Sequence, residues 1–393
     1  MTGSTRLFYQ YSGTHSLLIG LLPFFLPALM WLKGQSLSQI SSFIAVNGIG
    51  YLLTLYYWDR IRIRFGWNWL LVATLILELA LVGSIVLDQD FTAINLIALL
   101  NGAYGCFFWM AQRTLFAHCT NSSDTGVKFG NFQIVVMVLL KTGILVGGYL
   151  WEKWGASSVF LVTVCIVVPA ITYYSRVSLP ESLMATAPAP ITLNSIAGFR
   201  DSSNSRVIFL IDGFFLFAES YFWVITLYII SGENLVTLGV LVVSLSIVLA
   251  VLFYLIKNRL DKIRAQQAYV IGVLGYVLSW LLRGAVETGE NQYWVYPLIV
   301  FIAFLTALFR LVFNKRFFDL AAKADNHRYI VLKSYYSQLG VAVLFAITAL
   351  ALLEVTEPLM ALKTFYWVLA PLALIYLFYR LPPKCSSRHY LDR

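Results

Sequence analysis

Several side chains stand out because a charge or a large ring sits where the surrounding sequence is apolar. Asp212 and Glu219 share the apolar run Val207–Ser231. Seven residues, about two helical turns, separate them, so a helix places both on one face, with Phe215 and Phe222 close to it. Lys141 lies halfway along Phe129–Leu150, and Arg113 and Arg310 fall toward the ends of Phe91–Phe116 and Tyr293–Phe313. Trp109 precedes Arg113 by one turn on the same face. Burial favours the neutral form of a carboxyl and a neighbouring cation favours the charged form. A carboxyl that gains and loses a cation can therefore take up and release a proton. The set suits proton exchange or capture of a charged ligand group, with Glu219 in the lead, joined by Asp212 and Lys141. Plainer roles fit the same residues. Arg113 and Arg310 can snorkel to headgroups, Asp212 can cap a helix, and Glu219 and Lys141 can form a static pair between helices. Glu78, midway along Asn68–Leu87, has no evident partner.

The elements that position these residues are helices in a membrane. The chain has 393 residues, 60% hydrophobic and 12% charged, with mean hydropathy +0.77. A soluble domain carries about twice that charge. A spanning helix needs about 20 mainly apolar residues. The first six candidates are Thr14–Leu32, Leu37–Trp58, Asn68–Leu87, Phe91–Phe116, Phe129–Leu150 and Ser157–Tyr174. The second six are Val207–Ser231, Leu235–Ile256, Gln267–Leu282, Tyr293–Phe313, Tyr329–Leu353 and Thr364–Leu381. Barrel strands would be shorter and would alternate polar with apolar, so continuous apolar runs read as helices. Met1–Gly13 has no signal-peptide pattern, so the first run is expected to stay as a helix.

One set of connections holds Asp88, Asp90, Glu152, Glu233, Glu287, Glu290, Glu354 and Glu357. The other holds a dense series of bases, among them Arg60, Arg62, Arg64, Lys257, Arg259 and Arg264, and shares its side with both termini. The positive-inside rule puts that side, and both termini, in the cytoplasm of a multi-pass protein of the cell (inner) membrane. The net charge of +9 has this origin, so no nucleic-acid partner is expected. Residues 178–206, with Pro180, Pro188 and Pro190, have linker composition. The expected organisation is a six-helix bundle over 1–177, a cytoplasmic linker over 178–206, a second bundle over 207–382 and a cytoplasmic tail over 383–393.

The halves echo one another. Trp58-Asp59-Arg60-Ile61-Arg62 follows the second run, and Lys257-Asn258-Arg259-Leu260-Asp261 follows the eighth. Arg60 and Arg259 are 199 residues apart, and Arg113 and Arg310 are 197 apart. Such duplication is common in transporters with a site between the halves. Gly50, Asp59, Arg60, Arg62, Arg64 and Gly66 resemble the loop signature of the major facilitator superfamily. Gly143, Gly147 and Gly148 are similar to its fifth-helix glycine run, with Lys141 in place of the usual apolar lead and no proline.

The resemblance implies an all-α polytopic membrane protein of twelve helices in two pseudo-symmetric six-helix bundles. It implies helices one, four, seven and ten around a central cavity, which turns Arg113, Asp212, Glu219 and Arg310 inward. It implies alternating access by a monomer in the lipid bilayer, with Asp59, Arg60, Arg64, Gly66 and Arg259 as gating residues that make and break contacts as the halves rock; in the plainer reading Arg60, Arg62 and Arg64 only set topology. The expected function is secondary active transport of a small amphipathic or aromatic solute, with H⁺ as coupling ion. Import fits, and so does export of drugs, siderophores or lipids. A membrane acyl or glycosyl transferase would need a catalytic histidine or paired acids at a membrane face and a large polar loop, and the sequence has neither. His15, His118, His327 and His389 sit near the ends of apolar runs without metal-ligand spacing. The four cysteines form no CxxC pair, and no Walker motif occurs, so neither a metal nor a cofactor is called for.

Overall fold

The computed structural model describes residues 3–119, 125–178, 188–260, 264–287 and 294–380, without the side chains of 3–4, 117–119, 125–133 and 255–260. The described residues are helical throughout their regular structure. Among the described residues eleven helices are long and apolar enough to cross a membrane, or twelve when the bent pair Thr5–Leu21 and Pro23–Leu32, at 44°, is taken as one span. Lipid offers the backbone no hydrogen-bond partner, so each span satisfies itself.

The first span is α1 (Gly3–Leu21), a 3-10 turn (Pro23–Phe25) and α2 (Leu26–Leu32). Pro23 and Pro27 lack the N–H groups that would continue the ladder, which accounts for the bend. α3 (Leu37–Arg64) opens on a capping box in which Ser36 Oγ and the Gln39 side chain serve each other's backbone N–H groups. Then come α4 (Trp67–Leu87), α5 (Ile94–Cys119), α6 (Thr125–Trp154) and α7 (Ala156–Arg176). A short α8 (Leu193–Ala197) lies between the halves. The seventh span is broken at Tyr221 (φ −112°, ψ −67°) into α9 (Ser205–Ser220) and α10 (Phe222–Ile230). The chain continues with α11 (Leu235–Leu260), α12 (Ala265–Gly284), α13 (Val295–Ala321), α14 (Asn326–Ala351) and α15 (Pro358–Leu372). α15 runs into a 3-10 tail (Ala373–Phe378) after Pro371.

Packing repeats between the halves. α1 lies on α6 and its counterpart α9 lies on α14, and α4 and α7 pair as α12 and α15 do; α3 packs along α5, while the matching α11 and α13 touch only over a short stretch. Two seams join the halves, α3 on α14 and α6 on α11, and these exchange under the same two-fold relation. Small residues make the close approaches possible. A Cβ on Gly340 would stand 1.8 Å from the Leu210 carbonyl oxygen, and one on Gly147 would stand 2.0 Å from that of Leu21. The glycine run of the fifth span is thus where α6 meets α1.

The first span departs from its sequence expectation. It begins about three turns before Thr14, because Leu7, Phe8, Tyr11 and Ser12 are buried in the bundle rather than lying outside lipid. His15 is therefore well inside the bundle, roughly 18 Å along the helix from Gly3, and not near a membrane edge. The tenth span likewise runs two turns past Phe313 to Ala321. Arg316 is buried there, donating to the Tyr379 carbonyl at 2.5 Å and to Gln266 Oε1 at 2.7 Å, rather than lying in a loop. Cys106 and Cys165 are free thiols.

Candidate functional site

Arg310 on α13 is the hub of a buried charge cluster in the second half. Its Nη1 donates to Asp212 Oδ1 at 2.7 Å, and its Nη2 lies 3.1 Å from Glu219 Oε2. The guanidinium is a rigid fork of donors, so one side chain can hold two carboxylates that α9 presents two turns apart. Tyr276 on α12 closes the ring: its hydroxyl donates to Glu219 Oε1 at 2.5 Å and accepts from Arg310 Nη2 at 3.2 Å. The other Asp212 oxygen lies 3.3 Å from Lys333 Nζ on α14, and Tyr376 OH donates to Asp212 Oδ1 at 3.1 Å. Aromatic rings enclose the group. Phe215 packs on Tyr276, Trp280 and Tyr376 with centroids 5.4 to 5.6 Å apart, and Lys333 Nζ sits 4.5 Å from the Phe317 ring.

The two carboxylates differ in what they can do. Asp212 is fully buried and held by two cations. Glu219 has one cation, and its side chain and that of Arg310 keep 16% of their surface open. Asp212 is thus the more firmly anchored of the two, and Glu219 is the one with part of its surface open.

The expected grouping on α9 holds for Asp212, Phe215 and Glu219 but not for Phe222. The break at Tyr221 separates it from that face, and it packs on Phe345 and Phe365. Lys141 is not the partner of either acid; among the described residues no carboxylate lies within ion-pair distance of it. Arg113 and Trp109 are in the first half. The guanidinium lies 5.9 Å from the Trp109 ring and donates across the seam to Ser334 Oγ at 2.9 Å. A second polar contact crosses between the halves where Asn101 Nδ2 donates to Asn47 Oδ1 (2.8 Å) and to Tyr221 OH (3.3 Å).

Glu78, which had no evident partner, sits in a buried group of its own. Its Oε2 is 2.6 Å from His15 Nδ1, and its Oε1 accepts from Tyr104 OH at 2.8 Å. The repeat could have found these partners. His15 and Asp212 are 197 residues apart and Glu78 and Tyr276 are 198 apart, so the two clusters occupy matching positions in the two halves. Arg283, also unremarked in the sequence, stacks over Trp280 at 4.1 Å and Trp223 at 5.1 Å and donates to Thr306 Oγ1 at 2.8 Å.

At the basic end, Asp59 is the residue that joins separate elements. Its Oδ1 accepts from Arg62 Nε at 2.8 Å, and its Oδ2 accepts from the backbone N–H of Ile191 at 2.7 Å, just ahead of α8. His327 Nε2 on the second half lies 3.4 Å from Oδ1, an ion pair when the imidazole is protonated. Arg62 also donates to the Pro188 carbonyl at 2.7 Å. From the other side, Tyr336 OH donates to the Ile196 carbonyl, and Phe199 packs on the rings of Tyr329 and Tyr336. Residues 188–199 thus strap the two halves together. Arg60 does not reach across; it bonds the Tyr56 carbonyl and lies over the Tyr56 ring. Arg64 is exposed, and Gly66 is the N-cap of α4 with an ordinary extended backbone and nothing within 4 Å of a Cβ. The side chain of Arg259 lies outside the described residues.

The sequence model of the Major Facilitator Superfamily matches residues 12–344. No curated protein matches the sequence. The crystal structure of the nucleoside transporter NupG is similar in fold, with TM-score 0.67 and 12% identity over 96% of this chain and 98% of that one. The crystal structure of an aspartate-to-alanine mutant of the same transporter gives TM-score 0.69 at 12% identity over the same shares.

Proposed function

The chain belongs to the Major Facilitator Superfamily, and from that premise we propose that it is a proton-coupled secondary transporter moving a small amphipathic or aromatic solute by alternating access. The observation that carries this reading is the Asp212–Arg310–Glu219 cluster. An ionisable network at membrane depth is costly and is kept where it binds or moves charge. Glu219 takes the proton, Arg310 responds by turning toward the space between the halves, and Asp212 with Lys333 holds Arg310 in place. The halves, 1–177 and 207–382, rock about the α3–α14 and α6–α11 seams. The strap at residues 188–199, anchored on Asp59 and Arg62, sets the basic end, which the distribution of arginine and lysine assigns to the cytoplasm together with both termini. The protein works as a monomer in the cell membrane, and the direction of net flux follows the gradients applied.

Full-length protein reconstituted in liposomes loaded with a pH dye tests the reading. Aromatic and amphipathic solutes, nucleosides among them, are added outside. A solute-dependent change of internal pH is expected from the wild type and not from Glu219→Gln, whose folded yield stays near normal. An undiminished signal from Glu219→Gln would remove Glu219 from the mechanism.

A further inference from the structure

We propose that the transported solute is an organic anion with a flat apolar body, and that Arg113 receives its negative charge. The inference rests on the transporter reading and names the substrate class for the space between the halves.

The argument begins with charge balance. In the second half, Asp212 and Glu219 lie within ion-pair distance of Arg310 and Lys333, and Arg283, buried against Trp280 and Trp223, adds a further base. Arg113 faces the seam without such an ion pair. Its protein partners are the Ser334 hydroxyl and the Trp109 ring, and among the described residues no carboxylate lies within 4.0 Å of it. A guanidinium carries five N–H donors, and one of Arg113's is engaged by Ser334. A partly buried guanidinium between packed helices is satisfied by a counter-charge or by water. Lys333 precedes Ser334, is only 7% exposed and lies 3.3 Å from Asp212, so the acid nearest this stretch of the seam is already paired. Arg113 therefore offers the seam a positive charge without a carboxylate partner among the described residues, which would draw in an anion and repel a cation.

Shape supplies the second part. Asn101, Gly105, Trp109 and Arg113 follow one another at four-residue steps along one broad face of α5. At one end of this stripe Asn101 touches Tyr221 of the second half, and at the other end Arg113 touches Ser334. The ends are roughly 18 Å apart along the helix. Between them Trp109 keeps 43% of its surface open. An indole on a face that meets the opposite half at both ends offers a stacking surface for a ring, with a cation one turn away for the ring's charged substituent. The amides of Asn47 and Asn101 and the Tyr221 hydroxyl can bond polar atoms at the far side. A carboxylate or a phosphate would satisfy Arg113 equally, since both accept two parallel N–H bonds.

The test uses the full-length protein in nanodiscs and matched solutes: benzoate with benzamide, phenyl phosphate with phenol, uridine monophosphate with uridine, and benzylamine as the cation. Melting temperature is followed against concentration, because a ligand of the folded state raises it by mass action. At least one anion is expected to stabilise the wild type while its neutral partner does not. Arg113→Gln should weaken that response by about tenfold or more in apparent Kd, and Arg113→Lys should recover most of it. Each variant is first compared with wild type without solute, so that a folding defect is seen as such. Stabilisation by neutral or cationic members alone overturns the charge assignment and leaves the transporter reading standing. Anion binding indifferent to Arg113→Gln overturns the role of Arg113. No response to any member of the panel overturns the proposal, and the transporter reading is then decided separately by solute-driven proton movement.

Discussion

His15 Nδ1 and Glu78 Oε2 meet at 2.6 Å with both side chains fully enclosed by protein. The pair ties α1 to α4, and Tyr104 adds α5 through the second carboxyl oxygen. Removing one partner of a buried pair strands the other without water. Glu78→Ala is therefore expected to lower stability by about 3–5 kcal/mol, and Glu78→Gln, which still bonds His15 and Tyr104, by clearly less. Melting temperatures of the purified variants check this ordering. Equal losses would show that the site tolerates an open position there.

Asp212 lies between Arg310 and Lys333, so neutralising it leaves two cations facing each other in a dry site. Asp212→Asn is expected to destabilise the protein and abolish transport. Adding Lys333→Met removes one of the stranded charges and should restore part of the stability. Non-additivity of about 1–3 kcal/mol in the double-mutant cycle is the expected signature, and strict additivity would mean that the 3.3 Å approach of Lys333 carries no energy.

The strap over residues 188–199 makes the basic end sensitive to Asp59. Asp59→Asn weakens the bonds to Ile191 and Arg62. Hydrogen bonds to a charged group contribute about 1.5–3 kcal/mol each, so the undocked strap should become at least about tenfold more populated. Trypsin cleavage after Arg200, at the end of the strap, reads that population when docking is fast relative to cutting. Wild-type cleavage rates in Asp59→Asn would argue that the strap is held elsewhere.

Two glycines should respond in opposite ways. Gly340→Ala forces a methyl group into the Leu210 carbonyl at the α9–α14 contact, and a loss of about 1–3 kcal/mol or failure to assemble is expected. Gly66→Ala meets nothing within 4 Å and should stay within about 0.5 kcal/mol of wild type. Parallel thermal denaturation of the two variants decides the point.

The apolar runs carried the spans because lipid imposes a continuous signal along each one. They did not carry the pairings, which lie between spans and leave no local period. Asp212 and Glu219 were legible as a pair through their seven-residue spacing, whereas Arg310 was turned inward only by the family resemblance and the sequence offers Lys141 as the companion cation. Lys333 was not legible, because it lies near the start of its apolar run and looks like a terminal base; the two halves close over it and bury it. His15 was misplaced for a related reason. Ser, Tyr and Gln lower the hydropathy of the first helix, yet that helix is wrapped by protein, whose hydroxyls and rings accept such residues. Phe222 was assigned to the wrong face because a periodic reading carries straight through Tyr221, where the helix breaks.

The strap also acts as a ligand that the protein carries for itself. Being covalently attached, it competes for its dock at the millimolar effective concentrations typical of short tethers. A handful of contacts, centred on the Asp59 carboxylate and the Tyr336 hydroxyl, is then enough to occupy the dock most of the time. The same arrangement makes release graded: each bond lost shifts occupancy by a fixed factor without changing the site that carries solute. In the transport cycle proposed above, throughput and selectivity would therefore vary separately, the first in the tether and the second between the halves.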